Sequence, residues 1–227
     1  MAVPRIAKEV VEGFRALGDL TGTVSDILDQ MGIAGAVPAS VLRPSDPRAR
    51  IVGLAITVHN RARTDSVAEA VAKKKSGLGE INAHKLAQPG DVLVIQGVAN
   101  VSSLGGVSAT VGKRQGELGA IVDGGARDVD HSRSIGYPIW SSSVTPITGK
   151  WRVETVGVNV PVVIAGIRVA PGDLVLADEC GVCFVPAGKA EEVLAQAQRM
   201  SGWEEERLKK LESGISLEEF TRLPRPQ

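Results

Sequence analysis

A short apolar run, Ala120-Ile121-Val122, leads directly into Asp123-Gly124-Gly125 and then into the charged pair Arg127-Asp128. Such a run has the length and composition of a strand buried on both faces. The glycines after it permit a backbone turn that a Cβ would forbid. Strand, glycine turn and charged pair, in that order, hold reactive groups at the carboxyl end of a strand, where open α/β sheets place their ligands. The same residues also read as an Arg/Asp pair on a solvated loop, which contributes little to stability.

The rest of the chain fits strands in the middle and helices at both ends. Residues 4–18 carry Ile6, Val10, Val11, Phe14 and Leu17 at helical spacing, with Pro4 at the start and Gly18 at the end. Thr21 to Met31 predicts a second helix, capped by Thr23 or Ser25, with Val24, Ile27, Leu28 and Met31 as its apolar face. Pro44–Pro47 is a turn-rich break before a strand over Arg50–Val58, and His59–Asp65 reads as its polar exit. Val67–Lys75 has helical character, and its lysines read as a solvated helix end. Glu80 and His84 stand four apart in Gly77–His84, a stretch that shapes a lid or faces solvent, solvent being the simpler reading.

Asp91–Gln96 predicts a buried strand. After Val98–Ser103, Gly105-Gly106 precedes a helix over Val107–Gln115, whose exposed amides suit an anion. Val129–Ile135 predicts a short helix, Pro138–Trp140 a strand, and Ser141–Lys150 a polar loop that lines a pocket or a subunit contact. Strands follow over Trp151–Val160, Pro161–Val169, Leu174–Ala177 and Val182–Val185. An amphipathic helix over Ala190–Met200, a charged one over Trp203–Leu211 and a frayed Pro224–Gln227 close the chain.

Composition removes several function classes. Lys plus Arg and Asp plus Glu number 26 each, so no net field draws in nucleic acid or an acidic membrane surface. Aromatic residues make up 3%, too few for a base-stacking platform. No apolar stretch reaches the ~18 residues of a membrane span, and no basic leader with an apolar run opens the chain, which predicts a cytoplasmic protein. Cys180 and Cys183 form an isolated CxxC without a second pair. His59, His84 and His131 lack metal-ligand spacing, and Cys183 falls in an alternating strand where it acts as a small hydrophobe.

Gly119, Asp123, Gly124, Arg127 and Asp128 match a G-(hydrophobic)3-DG-x-x-RD motif, and the chain resembles the RraA-like family, which includes divalent-metal-dependent 4-hydroxy-4-methyl-2-oxoglutarate/4-carboxy-4-hydroxy-2-oxoadipate aldolases. The likeness runs from about Thr23 to Pro186 and includes Thr23–Asp26, Val52–Val58, Pro89–Val94, Gly136–Trp140, Pro161-Val162 and Val169–Val175. It implies an α/β fold of the swivelling β/β/α type. One domain would span 1–227, with a core over about 20–187 and C-terminal helices over 188–222. Trimers or dimers of trimers are the implied assembly.

The implied reaction is carbon–carbon lysis beside a 2-oxo acid, by aldol cleavage to pyruvate or by decarboxylation of oxaloacetate. Backbone amides at Gly105, Gly106, Val107 and Ser108 would grip the carboxylate. Arg127 would meet the enolate oxyanion, and Asp128 would bind Mg²⁺ or Mn²⁺. A Schiff-base route ranks low, because Lys113, Lys150 and Lys189 lie in polar contexts. The aldolases carry an acid 21 positions before the motif arginine; here that position is Gly106. Decarboxylation survives that change better than aldol cleavage, and Glu80, His84 or a neighbouring subunit's Glu204, Glu205 or Glu206 is a candidate base. Residues 60–85 and 141–152 are the expected determinants of substrate. The alternative within the family is a non-catalytic regulator of a ribonuclease. The methyltransferase label some relatives once carried finds no glycine-rich cofactor loop here.

Overall fold

The computed structural model of the protein describes residues 3–74 and 76–223. In chain order its principal elements are α1 (Lys8–Arg15), α2 (Thr21–Gln30), β1 (Ala36–Pro38), β2 (Arg43–Pro44), β3 (Ile51–Ala62), α3 (Val67–Ala72), α4 (Ile81–His84), β4 (Asp91–Gln96), β5 (Ser102–Leu104), α5 (Gly106–Arg114) and β6 (Gly119–Ala126). There follow α6 (Val129–Ser134), β7 (Ile139–Val144), β8 (Val153–Val158), β9 (Val162–Ile164), β10 (Ile167–Val169), β11 (Leu174–Ala177), β12 (Gly181–Val185), α7 (Ala190–Glu212) and α8 (Leu217–Thr221).

Among the described residues one large mixed sheet runs β1-β12-β11-β3-β4-β6-β7-β2, with β5 added to β6 and β8 to β3. Its centre, β3-β4-β6-β7, is parallel, and the β11 and β12 flank is antiparallel. The fold is therefore the α/β class expected. The continuous apolar strands are explained by burial on both faces. Val92, Val94 and Ile121 point into one core with Trp140 and Phe184, while Leu93, Ile95, Ala120 and Val122 point into another with Ala109 and Tyr137. A third core joins Phe14, Leu20, Val24 and Leu28 of the N-terminal segment to Val193, Leu194 and Ala197 of α7.

Several boundaries differ from the sequence reading, each for a physical reason. Asp123-Gly124-Gly125 does not break the strand: β6 runs on to Ala126, with an irregularity against β7 between Val122 and Gly125. The glycines serve close approach, since a Cβ on Gly125 would lie 2.6 Å from Thr145 Cγ2 and 2.8 Å from the Val101 carbonyl carbon. β3 extends through His59–Ala62 because β8 pairs with it beyond a bulge at His59/Asn60. Ser141–Val144 belongs to β7 rather than to a loop. Helix α2 is not capped by Thr23 or Ser25. Its Thr21 amide and hydroxyl instead donate to the distant Asp178 carboxylate at 3.1 and 2.7 Å. The helices predicted over Ala190–Met200 and Trp203–Leu211 are one, α7, and α8 falls inside the 188–222 expected to be helical. Pro224–Gln227 and Lys75 lie outside the described residues. Among the described residues no helix is long and apolar enough to cross a membrane. Cys180 is exposed and Cys183 buried, both free, and burial pushes the Cys183 thiol up to about 12.

Candidate active site

β4, β5 and β6 end at the same edge of the sheet, and the chain leaves β5 straight into α5. The Arg127 amide donates to the Leu104 carbonyl at 3.0 Å, which fastens the exit of β6 to the entry of α5. Helices α5 and α6 pack side by side above this edge. The result is a cleft of about 310 Å³ between the N-terminus of α5, the Arg127-Asp128 pair, Ser102-Ser103 and the Thr148–Lys150 loop, with Leu78 and Glu80 across it.

All six residues predicted from the sequence, Gly105, Gly106, Val107, Ser108, Arg127 and Asp128, line this one cleft. Asp128 adopts a left-handed conformation, φ 54° and ψ 35°, which aspartate tolerates better than most residues. That geometry turns its carboxylate away from its own helix α6 and back to α5, where Oδ2 accepts the Gly106 amide at 2.9 Å. A side chain at Gly105 would crowd this arrangement, its Cβ 3.0 Å from Arg127 Nε and 3.1 Å from Asp128 Oδ2. Arg127 Nε stands 3.6 Å from Asp128 Oδ2, too far for a hydrogen bond, and its guanidinium has no acceptor among the described residues. The Val107 and Ser108 amides fall in the first turn of α5, where no intrahelical acceptor exists. A guanidinium whose hydrogen-bond donors are free among the described residues, although its charge is partly met by Asp128, and two first-turn amides at one cleft make an anion-binding surface.

The donor set also bears on a metal. Among the described residues no group of three His, Cys, Asp or Glu side chains could hold an ion, which excludes a zinc-type cage there. Asp128 is about half exposed, and its Oδ1 accepts no hydrogen bond among the described residues. One open carboxylate beside room for water fits a magnesium-like ion, which keeps several waters and takes few protein ligands. Asp128 fits that role.

The candidate bases are placed very differently from the solvent-facing reading. His84 is fully buried, behind Ser108, and Glu80 lines the cleft. Glu80 Oε2 is buried without a partner among the described residues, and desolvation raises its carboxyl above the usual range, opposed by a hydrogen bond from its own backbone and then by the nearby His84. Glu204 lies near Asp19 and Asp26, and none of Glu204, Glu205 and Glu206 lines the cleft. Burial first, then Asp19 and Asp26, raises the Glu204 carboxyl. Sequence reasoning missed one residue outright. Glu117 is buried, accepts the Tyr137 hydroxyl at 2.6 Å and contacts His84 at 2.7 Å. The only hint was a lone carboxylate set directly before the apolar run of β6.

Residues 21–184 match the RraA-like family described as Aldolase/RraA. A Thermus thermophilus protein named 4-hydroxy-4-methyl-2-oxoglutarate aldolase is 31% identical over 165 residues, covering 71% of this chain and 91% of its own. A Halalkalibacterium halodurans protein whose name proposes the same activity is 29% identical over 197 residues, 86% of each chain. In structure, Streptomyces coelicolor RraAS2, titled an unusual member of the RNase ES inhibitor RraA protein family, aligns at TM-score 0.74 and 30% identity over 89% of this chain and 96% of its own. With Arg127 and Asp128 of the motif in one cleft and the match extending over most of its length, the chain belongs to the RraA-like family.

Proposed function

We propose that this protein is a divalent-metal-dependent lyase that cleaves a carbon–carbon bond next to a 2-oxo acid, by aldol cleavage to pyruvate, oxaloacetate decarboxylation, or both. The observation that carries this reading is the convergence on one cleft of the Arg127 guanidinium, ion-paired with Asp128 but hydrogen-bonded to nothing among the described residues, the open Asp128 carboxylate and the Val107 and Ser108 amides. The aldolase names of relatives support the class of reaction.

Either reaction leaves an electron pair on the carbon beside the keto group, so catalysis needs a grip on the carboxylate and a sink for enolate charge. The amides at the start of α5 grip the carboxylate. Arg127, always charged and planar, faces the developing oxyanion, and preorganised charge there is worth about 10²–10³ in rate per donor. Asp128 would hold Mg²⁺ or Mn²⁺, and the ion would supply Lewis-acid polarisation of the keto oxygen. Gly106 donates its amide to Asp128 and so positions that carboxylate. A self-associated trimer or hexamer remains part of the proposal.

The test is pyruvate release from oxaloacetate and from 4-hydroxy-4-methyl-2-oxoglutarate, with Mg²⁺ or Mn²⁺ and with EDTA. Metal-dependent turnover of either substrate supports a lyase, and the pair of substrates separates aldol cleavage from decarboxylation. No turnover of either would favour the ribonuclease-regulator reading that the likeness to the RNase ES inhibitor family suggests.

A further inference from the structure

Behind the cleft lies a continuous buried chain of polar groups. Ser108 Oγ is 2.8 Å from His84 Nε2, His84 Nδ1 is 2.7 Å from Glu117 Oε1, and the Tyr137 hydroxyl donates to Glu117 Oε2 at 2.6 Å. His84 and the Glu117 side chain are inaccessible to solvent, while Ser108 is 8% exposed and lines the cleft. Four polar groups buried together need a reason, because each costs free energy unless its partners are in place. The fold makes room for them at Gly112, where a Cβ would stand 2.4 Å from Glu117 Oε2 and 2.7 Å from the Tyr137 oxygen. Gln115 Nε2 donates to the His84 carbonyl at 3.2 Å and steadies the base from behind.

The hydrogen bonds set the direction of the chain. Burial, then the charge of Glu117, raises the Tyr137 phenol well above its ordinary value, so Tyr137 is the donor to Glu117. A carboxylate accepting from tyrosine on one oxygen accepts from His84 Nδ1–H on the other. That tautomer leaves Nε2 bare, and the Ser108 hydroxyl donates to it. Serine, imidazole and carboxylate in this order are a nucleophile or proton-transfer arrangement. Because His84 lies beneath Ser108 and cannot itself reach a ligand, proton transfer through the hydroxyl is the chemistry the burial allows. Two further atoms of the cleft wall, Ser103 Oγ and Glu80 Oε2, are buried without partners among the described residues, which points to a polar ligand in the same space.

We propose that Ser108, His84 and Glu117 form a proton relay in which the Ser108 hydroxyl is the acid–base group of the cleft. This rests on the lyase reading for its substrate, a 4-hydroxy-2-oxo acid. In aldol cleavage the substrate hydroxyl gives its proton to Ser108 Oγ as Ser108 gives its own to His84 Nε2. The bond between C3 and C4 breaks, C4 becomes a carbonyl, and the electron pair passes to the enolate. The proton then returns from His84 through Ser108 to C3, giving pyruvate and restoring the relay. Ser108 is the catalytic residue, His84 its proton acceptor, and Glu117 and Tyr137 are positioning residues.

The experiment compares wild type, Ser108→Ala, Ser108→Thr, His84→Gln and Glu117→Gln in metal-dependent cleavage of 4-hydroxy-4-methyl-2-oxoglutarate across pH, with folding checked by circular dichroism. The relay predicts that Ser108→Ala and His84→Gln lower kcat about 100-fold or more while KM moves little. The ascending limb of the pH profile disappears in His84→Gln, and Ser108→Thr, which keeps a hydroxyl, recovers most of the rate. Glu80, Glu117 and Tyr137 are the titratable groups placed around His84, so the limb must survive Glu80→Gln to be assigned to the imidazole. Unchanged kcat and pH profile in His84→Gln would overturn the relay. If wild type turns over no 2-oxo acid, the lyase reading fails and a fluorophosphonate probe decides the relay alone. Phosphonylation of Ser108 that is lost in His84→Gln supports it, and no labelling overturns it.

Discussion

Asp128 is held in a conformation that separates its structural role from its chemical one. At φ 54° and ψ 35°, an alanine pays the left-handed cost of about 1–2 kcal/mol that aspartate and asparagine partly escape through local hydrogen bonding. Asp128→Ala also orphans the Gly106 amide, now bonded to Oδ2 at 2.9 Å. Because the carboxylate is about half exposed, that loss is worth about 1 kcal/mol rather than the full value of a charged hydrogen bond. Together the two effects give about 2 kcal/mol, or a melting temperature lower by about 4–8 °C for a chain of this size. Asp128→Asn keeps both the conformational tolerance and an acceptor oxygen, so it should melt within about 2–3 °C of wild type. Asp128→Gly relieves the backbone but not the amide and should fall between them. Pyruvate release, by contrast, should fall about 10²-fold or more in all three, because each removes the carboxylate. The assay is thermal unfolding by circular dichroism alongside metal-dependent turnover. Equal destabilisation by alanine and asparagine would refute the conformational argument, and full activity in Asp128→Asn would refute the chemical one.

Three further outcomes follow from particular contacts. Arg127→Lys keeps the charge but loses the planar fork, and should lower kcat/KM for oxaloacetate about tenfold or more. Gly125→Ala drives a Cβ into Thr145 and the Val101 backbone, and urea denaturation should show a loss of about 1–3 kcal/mol. Burial holds Glu80 above its ordinary 4.5, so the native state keeps that proton longer than the unfolded chain does. Stability from this group is therefore present at low pH and lost as pH rises through the native value. Glu80→Gln should melt above wild type at neutral pH, with the difference gone by about pH 4. A gain that persisted at low pH would contradict that assignment.

The strands and the cleft residues were legible because their signals are local. Val92–Ile95 and Ala120–Val122 are apolar runs, and Gly105–Ser108, Arg127 and Asp128 came with the family resemblance. What stayed hidden depended on contacts between distant segments. Gly124-Gly125 read as a turn because the close approach of Val101 and Thr145 is tertiary. The extension of β3 past Val58 needed β8, nearly a hundred residues later, to pair with it. His84 and Glu117 are 33 residues apart, and each alone reads as a surface residue. The packing of α4 against α5, with Glu117 in the turn that leaves α5, brings them together and removes them from water. The cap of α2 likewise came from Asp178, across the sheet rather than along the chain.

In the proposed reaction the cleft between α5 and Arg127-Asp128 stabilises the enolate of a 2-oxo acid, and Asp128 would hold the metal that assists. Exchange of the methyl protons of pyruvate in deuterium oxide, followed by NMR, tests it without requiring the natural substrate. Exchange that is accelerated by the protein with Mg²⁺ or Mn²⁺, and that stops with EDTA or in Asp128→Asn, is the predicted result. Exchange no faster than in buffer with the same metal, or exchange untouched by Asp128→Asn, would contradict it.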